Sequence, residues 1–212
     1  MLTIHLVRHG ETVASLEHRF CGVTECELTE RGRRQVDAVA ERCAAEGDWR
    51  AVYTSPSGRC RLLANAVGVR VGAAVTLADG LHEIDHGRWD GRSEAQIEAA
   101  EPEAFAAYNR HPDFCGAPGG ETGYQVAARD MPVIEHVIDS HDEGDVLVVS
   151  HKGTIRIVVC ALLGIGIGLY RARIAQPVAS FTVFEIGPDG PLLLRLGDTS
   201  HLEKGLRVGS GV

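Results

Sequence analysis

Five side chains that can do chemistry fall at turns following apolar runs. Arg8 and His9 stand together after the run 2–7, and Arg59 follows the run 51–55. Glu83 lies in the segment after 75–77, and His151 sits just past the continuous apolar run 146–149. Arginine offers a planar, permanently charged donor fork for phosphate or carboxylate oxygens. Histidine offers a ring nitrogen that is nucleophilic near neutral pH. Phosphoryl transfer needs such a set. The group in flight spreads negative charge over its equatorial oxygens, so catalysis is mostly positioning and electrostatic stabilisation. An acid beside the leaving alkoxide contributes on the order of 10²–10⁴-fold. Nothing in the set requires a metal.

These residues share one edge only if the runs are strands of one sheet. Thr29 is placed to cap a helix whose apolar positions Val36, Val39, Ala40, Cys43 and Ala44 follow helical spacing. The strand 51–55 enters, after Pro56, a helix containing Arg59, Arg61 and Leu62. A helix is expected over 93–108, then a loop rich in proline and glycine from 112 to 120. Tyr124, Ala127, Met131, Ile134 and Ile138 predict another helix, which Pro132 should kink or interrupt. The run 146–149 reads as a strand buried on both faces, 154–163 as a helix, and 178–186 and 192–196 as closing strands. This alternation predicts a three-layer α/β/α sandwich around a mainly parallel sheet, in one domain spanning 1–212. A small helical and loop cap is expected as an insertion at about 86–122. Ligands bind outside the carboxyl ends of such strands. The tail 208–212 is expected to fray.

At 212 residues, 44% hydrophobic and 24% charged, the chain has the composition of a globular protein with a full core. A net charge of −8 argues against a broad nucleic-acid surface, so an anion site needs a local concentration of arginines. The cysteines at 21, 26, 43, 60, 115 and 160 form no C-x-x-C pair and read mostly as reduced thiols of a cytoplasmic protein. Cys21 and Cys26 are candidates to line the entrance of the site, but read first as small buried thiols. Neither a signal-peptide pattern nor an apolar stretch of about 18 residues is present, so a soluble chain without membrane contact is expected. His5, inside a strand, reads as a satisfied core histidine, and Arg33, Arg34 and Arg61 as solvated. His82-Glu83-Ile84-Asp85-His86 fits the zinc pattern H-E-x-x-H, but that chemistry needs a helix, which Gly80 and Gly87 oppose. Oligomeric state is open, a homodimer being one option.

Four segments in order resemble the histidine phosphatase superfamily, in the branch that includes phosphoglycerate mutases and small-molecule phosphatases. Val7-Arg8-His9-Gly10-Glu11-Thr12 looks like its R-H-G signature, followed by a segment similar to Arg19-Phe20-Cys21-Gly22 through Gly32. Ser55-Pro56-Ser57-Gly58-Arg59 is similar to its S-P-x-x-R element. Leu81 through Gly91 resembles the acid-bearing loop, and Val148 through Arg156 the strand and turn with the second histidine. The resemblance implies that His9 becomes a phosphohistidine, that Arg8, Arg59 and His151 hold phosphate oxygens, and that Glu83 protonates the leaving group. It implies further substrate or phosphate contacts at Ser15, Cys21, Gly22 and Lys152. A small phosphorylated metabolite and inorganic phosphate would be the ligands, with no cofactor and no metal.

Attack by His9 would require a neutral ring whose other nitrogen is held by a hydrogen bond. The chain departs from the family in carrying Ser15 where many relatives have asparagine, and Cys60 and Leu63 where alanine and threonine are usual. Glu121 reads equally as a family element near the pocket and as a helix-start carboxylate. Mutases of the family usually carry a longer insertion between the acid and the second histidine, so the short stretch from Glu83 to His151 favours a phosphatase over a mutase. A non-catalytic phospho-ligand module is the third reading, opposed by the intact set of five.

Overall fold

Alternating burial along the strands lets one sheet carry two apolar faces. The computed structural model describes residues 1–208, so positions 209–212 of the predicted frayed tail lie outside the described residues. The strands are β1 (Leu2–Arg8), β2 (Trp49–Thr54), β3 (Val75–Leu77), β4 (Gly144–Ser150), β5 (Phe181–Gly187) and β6 (Gly190–Asp198). They form one sheet in the order β3-β2-β4-β1-β5-β6. The β2–β3, β2–β4 and β1–β4 pairs are parallel. The β1–β5 and β5–β6 pairs are antiparallel, so the expected mainly parallel sheet has an antiparallel edge.

The helices are α1 (Val13–Leu16), α2 (Glu30–Ala45), α3 (Gly58–Val71), α4 (Glu94–Ala100), α5 (Pro102–Arg110), α6 (Gly123–Ser140), α7 (Lys152–Leu162) and α8 (Tyr170–Arg173). Thr29 caps α2 as expected, its side chain accepting from Gly32 N–H. Ile4, Leu6 and Val148 pack with Val126, Ile134, Val137 and Ile155 of α6 and α7. Val7, Leu147 and Val149, next along the same strands, pack with Val36, Val39, Leu63 and Val67 of α2 and α3. That makes three layers. A third cluster, Trp89, Ile97, Phe105, Tyr108 and Ala117, lies within 86–122, and Phe20 packs against it.

Three local expectations change. The helix expected over 93–108 is two, divided at Glu101, whose φ of −139° and ψ of 57° fit the exclusion of helical geometry before Pro102. Helix α6 is not interrupted at Pro132 but runs on through it. An internal proline costs about 3 kcal/mol, but burying Ile134 and Val137 beyond it gains roughly 1.5–3 kcal/mol each, so packing wins. Strand β5 begins at Phe181, not 178, after Ala179 with its φ of 54°. His5 is satisfied, its Nε2 lying 2.7 Å from Asp145 Oδ1. Arg33, Arg34 and Arg61 are exposed. Among the described residues no helix is long and apolar enough to cross a membrane.

Asp130 in α6 is fully buried, and neither carboxylate oxygen has a hydrogen-bond partner. Burial pushes its carboxyl up to about 8, so the folded chain holds a proton that the unfolded chain releases near 3.8. Stability contributed at this site therefore falls as pH rises from 3.8 towards 8. Asp130→Asn removes that loss. Thermal unfolding at pH 5 and pH 8 should show the variant gaining on the parent at pH 8 relative to pH 5; an identical difference at both values disproves the assignment.

Candidate active site

Register between β1 and β4 sets the centre. Arg8 pairs with Ser150, so His9 and His151 are the first residues beyond two adjacent parallel strands. His9 N–H donates to Ser150 O at 3.1 Å, and the two imidazole rings lie 5.2 Å apart. His9 Nδ1 lies 2.7 Å from Gly10 O. A carbonyl only accepts, so Nδ1 carries the proton and Nε2 keeps its lone pair. Burial, then the charges of Arg59 and Arg8, hold the His9 ring well below its ordinary range, which keeps it neutral. The turn that presents it is backed by α2. A Cβ at Gly10 would meet Gly32 O at 2.5 Å, and Glu11 is buried in an ion pair with Arg31 and a 2.7 Å bond from Thr29 Oγ1.

Arg8 and Arg59 are held on one side only. Arg8 Nη1 donates to Gln176 O at 2.9 Å, while Arg59 donates to Gly22 O at 2.9 Å and Thr24 O at 3.1 Å. The Nε of each is buried without a partner. Such orphan donors on two neighbouring guanidiniums suit a bound anion. Burial pulls Arg8 down to about 10, which still leaves it charged at neutral pH. The loop that receives Arg59 is tied by a Cys21–Cys26 disulfide, and both residues are part-exposed. This corrects the reading of those two cysteines as buried thiols; the loop folds back on itself and brings them together. The other four cysteines are free.

Glu83 is fixed by the start of α7. Its Oε1 accepts from Ile84 N–H at 2.9 Å and Thr154 N–H at 3.2 Å, and its Oε2 from Gly153 N–H at 3.1 Å. A Cβ at Gly153 would stand 2.7 Å from Glu83 Oε1, so only glycine lets the carboxylate come this close. Arg129, which the sequence did not single out, donates to the carbonyls of Gly80, His82 and Glu83. Its partner is Glu121, which also accepts Asp85 N–H at 2.9 Å. Glu121 thus braces the acid loop and does not line the cavity. Residues 82–86 are not helical, so His82 and His86 share no helical face and the zinc pattern is a chance match.

These groups border a cavity of about 470 Å³. Arg8, His9, Ser15, Cys21, Arg59, Glu83 and Lys152 line it. His151 and Gly22 do not. His151 is fully buried, its Nε2 2.8 Å from Ser55 Oγ, and burial with Arg59 keeps its ring well below the ordinary range. Gly22 acts through its carbonyl on Arg59. The only proton of the Ser15 hydroxyl goes to Thr12 O at 2.9 Å, leaving none for an anion. Sequence reasoning missed Arg156, Arg171, Tyr108, Tyr170 and His86, which also line the cavity. Arg156 was legible as the residue one helical turn after Lys152; Arg171 had no local signal.

The sequence profile of the histidine phosphatase superfamily (branch 1) matches residues 4–199. The chain belongs to this superfamily. It is 30% identical to phosphoserine phosphatase 1 of Hydrogenobacter thermophilus over 95% of each chain. It is 33% identical to glucosyl-3-phosphoglycerate phosphatase of Mycobacterium tuberculosis over 84% of this chain and 82% of the relative. The solved structure of Bacillus stearothermophilus YhfR superposes with a TM-score of 0.88 at 28% identity, covering 96% of this chain and all of that one. The three-layer architecture is thus that of a histidine phosphatase.

Proposed function

We propose that this histidine phosphatase hydrolyses a small phosphorylated metabolite, with His9 as the nucleophile and no metal. The observation that carries the reading is the neutral His9 ring, with Nδ1–H bound to Gly10 O and its Nε2 lone pair free beside two arginines with unpaired donors. Phosphatase names among its relatives support it.

In the first step His9 Nε2 forms a bond to phosphorus and the ester P–O bond breaks. The leaving alkoxide takes the proton of Glu83. Oε2 has one backbone donor against two on Oε1, so Oε2 is the oxygen left to carry that proton. In the second step water attacks phosphorus and gives a proton back to Glu83. The P–N bond breaks, its electron pair returns to His9, and phosphate leaves. Arg8 and Arg59 stabilise the charge on the equatorial oxygens in both steps. His151, held through Ser55, packs against the His9 ring and fixes the position of the nucleophile. Segment 86–122 acts as the cap that reads the leaving group.

His9→Ala should leave the fold intact and remove turnover, since it removes the nitrogen that attacks phosphorus. Trapping with labelled substrate should yield an acid-labile, base-stable phosphoenzyme in the parent and none in the variant. Activity above about a tenth of the parent's would exclude His9 as the nucleophile.

Because the arginines supply the positive charge, EDTA or phenanthroline should leave turnover unchanged, while vanadate inhibits. Activity lost on chelation and restored by a divalent metal would contradict this mechanism.

Glu83→Gln should cost roughly 10²–10⁴-fold on alkyl phosphates. With para-nitrophenyl phosphate the phenolate scarcely needs a proton, so the loss should be much smaller. Equal losses on both substrates would make Glu83 an orienting group and not the proton donor.

A further inference from the structure

The groups that aim Arg59 lie inside a covalent ring, closed by the disulfide between Cys21 and Cys26. Arg59 donates to the ring carbonyls of Gly22 at 2.9 Å and Thr24 at 3.1 Å, and its Nη2 lies 3.5 Å from Cys21 O. Glu25, also in the ring, accepts Gly58 N–H with both carboxylate oxygens at 3.0 Å. That contact caps the start of α3, where Ser57 makes no side-chain cap. Arg59 is the next residue. The ring therefore sets both the helix end from which Arg59 departs and the direction of its guanidinium.

Little apolar burial holds the ring in shape. Val23, Thr24 and Glu25 are exposed, and the apolar Val23 is 58% exposed. From the cap side Asp90 accepts from Gly22 N–H and from Thr24 N–H and its hydroxyl. A segment held by a few hydrogen bonds gains conformational freedom when its covalent closure is cut. Both cysteines are part-exposed and Cys21 lines the cavity, so a dissolved thiol can reach the bond. Exposed disulfides are the labile ones, and a chain of 212 residues with a full core does not need a staple to fold. Cys43, Cys60 and Cys160 are buried, and burial pushes their thiols up to about 12, 12 and 11, so they offer scarcely any thiolate at neutral pH.

We propose that the Cys21–Cys26 pair is a redox site that controls phosphate binding: the disulfide keeps Arg59 aimed, and reduction by a dithiol releases it. The inference takes from the phosphatase reading the role of Arg59 as a phosphate ligand. In reduction, a thiolate of the dithiol attacks one Sγ, the Sγ–Sγ bond breaks, and the other cysteine leaves as a thiolate that takes up a proton. The second thiolate of the reductant then attacks the reductant sulfur joined to the protein. This closes the reductant's own disulfide and frees the remaining cysteine, which takes the second proton. Two electrons and two protons pass to the protein, and a disulfide oxidant reverses the exchange.

Inorganic phosphate is the probe. Its Kd, measured by calorimetry on the oxidised protein and again after dithiothreitol with the new thiols counted, should rise about tenfold on reduction, the size of one charge-assisted hydrogen bond. Glutathione disulfide should restore the first value. Cys26→Ser should sit at the reduced value with or without dithiothreitol, while Cys115→Ser, at a part-exposed free cysteine, should respond as the parent does. Arg59→Met should bind phosphate weakly in both states and show no redox response, which a purely structural disulfide does not require. The circular dichroism of the reduced parent should match that of the oxidised one. The proposal is overturned by thiol counts that show no disulfide after oxidation, by one phosphate Kd in both states, by a response that survives in Arg59→Met, or by unfolding on reduction. Turnover of para-nitrophenyl phosphate separates the two readings. Equal turnover in both states removes the redox control alone; no turnover in either removes the phosphatase reading, while the phosphate Kd still reports on the switch.

Discussion

The in-register pairing of β1 with β4 is the constraint on which the site depends. With Arg8 opposite Ser150, the chain leaves both strands at the same level and delivers His9 and His151 side by side. Strand β2 joins the same arrangement, since Thr54 pairs with Val149 and Ser55 N–H reaches Val149 O, which sets Ser55 against His151. A slip of one residue would turn every side chain of a strand to the opposite face. Here it would also exchange Leu6 and Val148 with Val7 and Val149 between two separate cores. The energy that enforces the register is thus ordinary apolar burial on both faces of the sheet. The catalytic geometry is its by-product.

That rigidity lets the edge of the sheet carry groups that oppose folding. Two neutral buried histidines and two arginines with unpaired Nε donors all sit within or behind one cavity. Each unpaired buried donor costs about 1–3 kcal/mol. These costs fall where an anion would remove them. The free protein stores, as electrostatic discomfort, part of what substrate binding releases, and the donors need not move when charge develops on the transferring group.

Much of this was legible in the sequence because it is local. Arg8-His9, Arg59, Glu83 and His151 each follow a strand-like run, and the alternation of runs and helical spacing implied the order of layers. What was not legible depends on partners far along the chain. Arg129 braces the Glu83 loop from α6, more than forty residues away, and nothing near it in sequence announces that role. The antiparallel edge follows from where β5 meets β1, and an apolar run has no direction written in it. Cys21 and Cys26 are separated by only four residues, but their pairing depends on a loop closed by other contacts. The continuity of α6 through Pro132 was decided by burial on both sides of the proline, which local propensity does not contain.

The same distant contacts join segment 86–122 to the loop that aims Arg59. Arg59 is aimed by the carbonyls of Gly22 and Thr24. Asp90, beside the cap residue Trp89, accepts from Gly22 N–H at 2.7 Å and from both the N–H and the hydroxyl of Thr24. Asp90 therefore holds the residues whose carbonyls hold Arg59. From the other side Phe20, one residue before Cys21, packs on Trp89 and Tyr108, the ring over which Arg171 lies. A shift of the cap must therefore carry the 20–26 loop with it and turn the Arg59 fork. On the proposed mechanism, a leaving group that seats segment 86–122 would also complete the phosphate site, so specificity and catalysis would draw on one set of contacts.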